Sequence, residues 1–217
     1  MAGQIFGGGA PKTNPVPAPK PVKPAAMPMG PGGSSTGSGL GQAQQAPQPV
    51  IRPEVKAVSD TLSYAEGTWN KEANAPNYGM RYGDRTGEAS LDINQPHPGD
   101  VRSSAYGSGY QSDASGAFQF KKDTWNEMHG GNNAVMSPEN QDLAVGKLIT
   151  AEGYDYNEPF AEESFKLSNR WASIPNAQGV SDYGQPTPHS TEELDTFHRQ
   201  RLQQLQELER MRVYGLR

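Results

Sequence analysis

Apolar residues recur at helical spacing immediately after residue 53 of this chain. A natural stop follows at Gly67, because glycine readily takes the left-handed conformation that ends a helix. The pattern therefore predicts a helix with Glu66 in its last turn, beside the buried face. The apolar residues of that face are Val55, Val58, Leu62 and Ala65.

Three later segments also carry helix signals, and they lie at Ala117–Trp125, Ser137–Gly153 and Phe160–Trp171. The second segment begins with Ser137 at the N-cap position and Pro138 at the first helical position, where its missing N–H costs nothing. Residues 68–114, in contrast, are rich in Gly, Asn, Asp, Tyr and Pro and show little periodicity. They predict long loops with one short hairpin.

The segment 190–213 predicts a long amphipathic helix. It opens with a capping box in which Ser190 precedes Glu193. Such a helix is not stable alone, so its apolar stripe packs either on its own domain or on another chain, and the sequence leaves both alternatives open. The stripe consists of Leu194, Phe197, Leu202, Leu205 and Leu208.

Composition divides the chain into three zones. Residues 1–53 hold most of the prolines and a Gly/Ser stretch, which is typical of a disordered, flexible arm. Residues 54–186 contain all three tryptophans and should hold the core. Residues 187–217 form the C-terminal helix, for docking or oligomerisation. The expected fold class is α+β and mainly α.

Charge and residue usage exclude several classes of function. The first 53 residues contribute four positive and no negative side chains to a net charge of −5, so the remainder carries −9. An acidic body argues against nucleic acid as a partner. Cysteine is absent and the four histidines lack metal-ligand spacing, so no metal site and no cofactor are expected. No apolar run approaches the length of a membrane span, and no secretory signal is visible.

Glu66 is the clearest candidate for a catalytic residue. Its predicted position at a helix C-terminus places it near unpaired carbonyl oxygens, which disfavour a carboxylate and raise its pKa. Partial burial acts in the same direction. A glutamate that keeps its proton can protonate a leaving oxygen, the step that glycosidic cleavage requires. A surface glutamate near a helix end is the alternative interpretation of the same local sequence.

Several motifs occur in an order that resembles one enzyme family. Ala65-Glu66-Gly67-Thr68 comes first, followed by a Ser-x-x-x-Gly-x-x-Gln segment from Ser112 to Gln119. Residues 137–142 read Ser-Pro-Glu-Asn-Gln-Asp, and residues 171–175 read Trp-Ala-Ser-Ile-Pro. Together, residues 57–186 resemble the lambda-endolysin family of lytic transglycosylases, glycoside hydrolase family 104, in the lysozyme-like superfamily.

The resemblance implies cleavage of the β-1,4 bond between N-acetylmuramic acid and N-acetylglucosamine in bacterial peptidoglycan. It assigns Glu66 as the acid and then the base, while the 6-hydroxyl of muramic acid attacks in place of water and leaves a 1,6-anhydro end. By the same resemblance, Gln119 binds sugar near the cut. Further substrate-binding candidates are Tyr106, Phe118 and Tyr183.

Two departures from the family pattern affect the chemistry. Ala117 and Phe118 replace the usual Arg-Tyr pair, which removes a charge and a hydroxyl beside the cleft. Asp113 stands where relatives have a small residue. If Asp113 faces the cleft it assists by positioning water, and the enzyme is a hydrolytic lysozyme. If it caps or braces its loop instead, the transglycosylase assignment stands. His97, between two prolines, is interpreted as a loop brace.

Delivery to the cell wall admits two alternatives. The arm and the C-terminal helix favour a virion-associated enzyme, bound to other phage virion proteins of the tail or internal ejection apparatus and acting in the host periplasm. The other alternative is a free endolysin that stays in the host cytoplasm until a holin releases it. A structural virion protein whose lysozyme-like domain is secondary is a third hypothesis.

Overall fold

The secondary structure is dominated by helices placed around very short strands. The computed structural model describes residues 51–85, 87–104, 110–131, 133–183 and 186–215. No helix within these ranges is long and apolar enough to cross a membrane. The predicted arm, except its last three residues, lies outside the described residues. The helices are α1 (Pro53–Ala65), α2 (Lys122–Met128), α3 (Pro138–Ala151), α4 (Phe160–Glu163), a 3-10 helix (Ser164–Leu167) and α5 (Thr191–Tyr214).

Helix α1 forms where the sequence predicts it. Pro53 occupies the first helical position, where a missing N–H costs nothing. At the other end, the Glu66 N–H donates to the Leu62 carbonyl, and Gly67 turns the chain with a φ of 73°. Val58 and Leu62 are buried in the core, so the packed face of α1 fixes the end at which Glu66 sits.

In the described part of the loops between α1 and α2 there are two hairpins, not the one predicted. Strand β1 (Trp69–Asn70) pairs antiparallel with β2 (Ala75–Pro76), and β3 (Arg102–Ser103) pairs antiparallel with β4 (Gln111–Ser112). Each strand has only two residues, which is too short to show alternation of apolar and polar positions. The sequence pattern therefore could not reveal the second hairpin.

Two predicted helices have different bounds in the structure. The helix expected from Ala117 begins only at Lys122, because Gly116 and Gln119 take left-handed φ values of 83° and 49° that no helix accommodates. The helix expected over Phe160–Trp171 is one short α-turn, α4, followed by the 3-10 helix. The prediction for α3 is confirmed, and its N-cap Ser137 accepts a hydrogen bond from the Asn140 N–H at 3.3 Å.

Helix α5 packs against α1 of its own chain, which resolves the alternative that the sequence left open for its first half. Leu194 is completely buried, and the Phe197 ring stacks on the Tyr64 ring with centroids 4.3 Å apart. Arg201 Nε lies 2.7 Å from a carboxylate oxygen of the buried Asp60. The predicted cap is confirmed, because Ser190 Oγ accepts from the Glu193 N–H.

The second half of α5 runs past this contact and leaves its apolar residues exposed. Leu208, the last member of the predicted stripe, is 58% exposed. Met211, Val213 and Tyr214 are also exposed. Only the first half of the helix therefore belongs to the packed body. The core itself lies between α1, α3 and the loops around Phe118 and Trp171.

Candidate active site

A cleft of about 610 Å³ opens beside the C-terminal end of α1. Three separate parts of the chain meet there, because Glu66 ends α1, Gln119 comes from the turn before α2, and Ser173 comes from the loop after the 3-10 helix. The wall is completed by Tyr110, Gln111, Ser112, Lys121, Thr124, Asn169, Arg170, Trp171 and Tyr183, among others.

The Glu66 carboxyl group is partly buried and has one firm side-chain partner. Ser173 donates its hydroxyl to Glu66 Oε1 at 2.5 Å. Burial raises the pKa of Glu66 from its ordinary 4.5 to about 7, while hydrogen bonds from the side chain and backbone of Ser173 act in the lowering direction. Desolvation is therefore the larger effect. A substantial fraction of Glu66 keeps its proton near neutral pH, as a general acid must.

The turn over residues 115–120 contributes to the lining of the cleft, and its backbone is hydrogen-bonded by the side chain of Gln141. The Ala117 N–H donates to Gln141 Oε1 at 2.8 Å, while Gln141 Nε2 donates to the Met136 and Tyr78 carbonyls. A Cβ on Gly116 would lie 2.2 Å from that same Oε1, so only glycine fits there. A buried amide therefore sets the backbone of the turn.

The same turn is tied to the two segments that flank Glu66. Thr68, two residues after Glu66, donates its hydroxyl to the Ala117 carbonyl at 2.5 Å. The Trp171 indole N–H donates to the Phe118 carbonyl at 3.1 Å, so the loop that carries Ser173 is also fixed. Three segments distant in sequence thus form one hydrogen-bonded frame around the carboxyl group.

Gln119 lies on the cleft surface in a conformation that is uncommon for a residue with a side chain. Its φ is 49°, and its side-chain N–H donates to the Gly116 carbonyl at 2.9 Å. That bond uses an amide N–H, so the amide oxygen keeps its capacity to accept from a sugar hydroxyl. The position agrees with the predicted contact to substrate near the cut.

The remaining predicted substrate-binding residues differ in their position relative to the cleft. Phe118 borders the cleft but has no exposed surface, and its ring packs edge-on against Phe120 in the core, so the expectation that the ring contacts sugar is corrected. Tyr183 lines the cleft, is 59% exposed, and donates its hydroxyl to the Asn169 carbonyl. Tyr106 lies outside the described residues.

Asp113 takes the bracing role and is not among the residues that line the cleft. Its carboxylate accepts a hydrogen bond from the Lys122 N–H at 3.1 Å, at the start of α2, and its carbonyl accepts from Ser115. The alternative in which Asp113 positions a water molecule therefore has no support from its location. His97 is confirmed as a loop brace, since its ring binds the Phe120 carbonyl and the Gly99 N–H.

Sequence reasoning missed three residues that build the site, namely Thr68, Gln141 and Ser173. Each lies inside a motif that was used for the resemblance but was given no role. Their residue types could have indicated a role, because the side chains of glutamine, serine and threonine can form hydrogen bonds with backbone groups or with a carboxylate. Among the described residues, no cluster of three His, Cys, Asp or Glu side chains is arranged to hold a metal.

A mainly helical fold with a glutamate of raised pKa at a helix end, in a cleft that a hydrogen-bonded turn also lines, defines a lysozyme-like glycosidase. The family model described as Endolysin matches residues 56–205. The chain therefore belongs to the endolysin family, and it is a lysozyme-like enzyme of peptidoglycan degradation.

Solved structures of bacteriophage lambda lysozyme show the same fold. The lambda enzyme complexed with a chitohexasaccharide is 25% identical, with a TM-score of 0.56, and the match covers 70% of this chain and 95% of that one. A second structure of lambda lysozyme gives 23% identity and a TM-score of 0.51 over the same shares. No curated protein sequence matches the chain.

Proposed function

We propose that this protein is a lytic transglycosylase that cuts the β-1,4 bond between N-acetylmuramic acid and N-acetylglucosamine and leaves a 1,6-anhydro end. One observation carries the proposal, which is that Glu66 is the only carboxylate among the described residues that line the cleft. The undescribed residues contain no Asp or Glu, so none of the chain's 24 acidic side chains is missing from this comparison.

A single carboxyl group suffices for internal transfer, whereas typical hydrolases use two. The protonated Glu66 donates its proton to the leaving oxygen as the bond from that oxygen to C1 breaks. The resulting carboxylate then accepts the proton of the muramic acid 6-hydroxyl, and the 6-oxygen forms the new bond to C1. Ser173 binds Oε1, so Oε2 is the oxygen that performs both transfers. Glu66 ends the reaction protonated, ready for the next cycle.

The alternative is a hydrolytic lysozyme that uses the same glutamate, with water in place of the 6-hydroxyl. Inverting hydrolases need a second carboxylate to activate that water, and retaining enzymes need one as nucleophile. Asp113 was the candidate for such a role, but its carboxylate binds the Lys122 N–H outside the cleft lining. The geometry therefore favours the transglycosylase.

The chitohexasaccharide in the lambda lysozyme complex supports a glycan as the occupant of the cleft. The lining has the chemistry for such a ligand, since aromatic rings offer apolar faces and amides offer paired donors and acceptors. Tyr110 and Tyr183 supply rings, while Gln119 and Asn169 supply amides.

The reaction is tested by digesting purified peptidoglycan and weighing the released muropeptides. Products lighter by one water than the hydrolysis products indicate anhydro ends, and reducing ends with added water would assign the hydrolase instead. Glu66→Gln is expected to abolish release while it preserves the fold. Asp113→Asn is the matched control, because it also neutralises a single carboxylate and is expected to remain active.

Delivery with the virion is the accompanying proposal. It rests on the Pro- and Gly-rich composition of residues 1–53 and on the exposed apolar end of α5, neither of which catalysis requires. Mass spectrometry of washed phage particles tests it. Detection of the intact chain in particles supports a virion enzyme. Its presence in lysates alone assigns a free endolysin held in the host cytoplasm before holin-dependent release.

A further inference from the structure

The cleft carries one positive charge that has no role in the proposed cleavage reaction. The ionisable side chains of Asp, Glu, Lys or Arg in the described lining belong to Glu66, Lys121 and Arg170. Arg170 is neutralised, because its Nε lies 2.6 Å from a carboxylate oxygen of Glu152. Glu66 retains much of its proton near neutral pH, with a pKa of about 7. The remaining charge is that of Lys121.

Lys121 has no structural partner among the described residues. It forms no ion pair or side-chain hydrogen bond there, and as the N-cap residue of α2 it makes no capping bond with its side chain. The residue is exposed. The chain as a whole carries a net charge of −5, so this amine is not part of a generally basic surface.

The position of Lys121 suits a group attached to the glycan beside the cut. It follows Gln119 by two residues, and both residues line the same cleft. A neutral sugar ring offers no full charge to an amine, whereas a carboxylate on a substituent does.

We propose that Lys121 binds a carboxylate of the peptide that peptidoglycan carries on muramic acid, so that the enzyme prefers peptide-bearing glycan over bare glycan. This inference rests on the proposed function. It concerns only the substituent, and cleavage of the sugar chain by Glu66 does not require it. A contact of this kind is exposed to solvent, so its contribution should be modest and should weaken with salt.

Lys122 provides a control matched in charge and position. It is the next residue, it is exposed, and it does not line the cleft. Its side chain runs across Gly99, where an added Cβ would lie 2.3 Å from the Lys122 Cδ. Lys121→Gln and Lys122→Gln therefore remove the same charge, but only the first removes it from the cleft.

The test compares kcat/KM on two forms of the same glycan, one with its peptides and one stripped of them by an amidase. Both preparations come from a wall free of phosphate-bearing polymers, so that peptide carboxylates are the anions present. We expect Lys121→Gln to lower kcat/KM on the peptide-bearing form by about three- to fivefold, the size of one exposed ion pair. It should leave the stripped form unchanged, and Lys122→Gln should affect neither form.

Equal activity of wild type and Lys121→Gln on the peptide-bearing form would overturn the inference, as would an equal loss on both forms. The loss should also shrink at high salt, and a loss that is insensitive to salt would contradict an ionic contact. If the wild-type enzyme cleaves neither form, the proposed function itself fails, and that outcome is distinct from the others.

Discussion

Removal of the Ser173 hydroxyl should change the acidity of Glu66 without touching the residue itself. In the structure that hydroxyl donates to Glu66 Oε1 at 2.5 Å, and the hydrogen bond favours the ionised carboxylate. The Ser173→Ala variant loses the bond while Glu66 stays partly buried. The pKa of Glu66, about 7 in the wild type, should therefore rise.

The magnitude follows from the strength of a hydrogen bond to a charged group. Such bonds contribute about 1.5–3 kcal/mol, and one pKa unit corresponds to about 1.4 kcal/mol. Water can enter the open cleft and replace part of the lost interaction, so we expect a rise of about one unit. The carboxyl group also loses an orienting partner. Since misplacing reacting groups by a fraction of an ångström is costly, we expect the maximal rate to fall about tenfold.

The assay is the rate of muropeptide release at saturating substrate, measured from acid to alkaline pH. Because the acid must be protonated, wild-type activity should decline as pH rises through about 7, the pKa of Glu66. In Ser173→Ala that decline should move about one unit upward, with a lower plateau and little change in KM.

Ser181→Ala is the matched control. Ser181 is a similarly buried serine, 4% exposed against 8% for Ser173, and its hydroxyl oxygen accepts from the Tyr183 N–H instead of binding the acid. An unshifted pH profile in Ser173→Ala would refute the reasoning. A similar shift in Ser181→Ala would show that the change is not specific to Glu66.

Four further predictions concern stability. Gln141→Leu should lower the free energy of unfolding in urea by about 1–3 kcal/mol, because it leaves a buried N–H without its acceptor; an unchanged midpoint would contradict this. Arg201→Met should lower the free energy of unfolding by about 2–4 kcal/mol, because it removes a partner of the buried Asp60. Deletion of residues 206–217 should leave the melting temperature nearly unchanged. Glu66 has a folded pKa of about 7, above its ordinary 4.5, so its stabilising contribution is present below pH 4.5 and is lost as pH rises to 7. Glu66→Gln should therefore be more stable than wild type above pH 7 by on the order of 2–3 kcal/mol, and a difference that persists below pH 4.5 would refute that assignment.

The sequence predicted the elements whose signals are local. Helix α1 and helix α3 were placed nearly to the residue, because an apolar stripe, an N-terminal proline and a C-terminal glycine act within one element. The N-cap of α5, Ser190, was found for the same reason. Local signals placed Glu66 at the end of a helix, but they left its role open, and the family resemblance assigned it as the acid. Its raised pKa agrees with the expected direction.

The parts that the sequence did not reveal depend on distant contacts. The turn over residues 115–120 resembles the start of a helix, but the buried amide of Gln141 takes the Ala117 N–H from outside that segment. Phe118 was predicted to face sugar, and its aromatic side chain instead fills the core. Ser173 is 107 residues from Glu66 in the chain, so no spacing rule could join them. Secondary-structure propensity and hydrophobic patterns do not predict which loop contacts which helix in the folded protein.

Helix α5 shows how an apparent appendage can belong to the catalytic scaffold. Asp60 has no exposed surface, and it is bound by Lys56 Nζ at 2.6 Å and by Arg201 Nε at 2.7 Å. A buried carboxylate that loses one of its two cationic partners is destabilising, so Arg201 helps to stabilise the packing of α1. Tyr64, two residues before Glu66, is stacked on a ring of the same helix. The C-terminal end of α1, next to Glu66, thus packs against α5. The match to the endolysin family extends into α5, to residue 205. A helix that lines none of the cleft therefore packs on the element that positions Glu66, and only the exposed remainder of α5 is free of that contact.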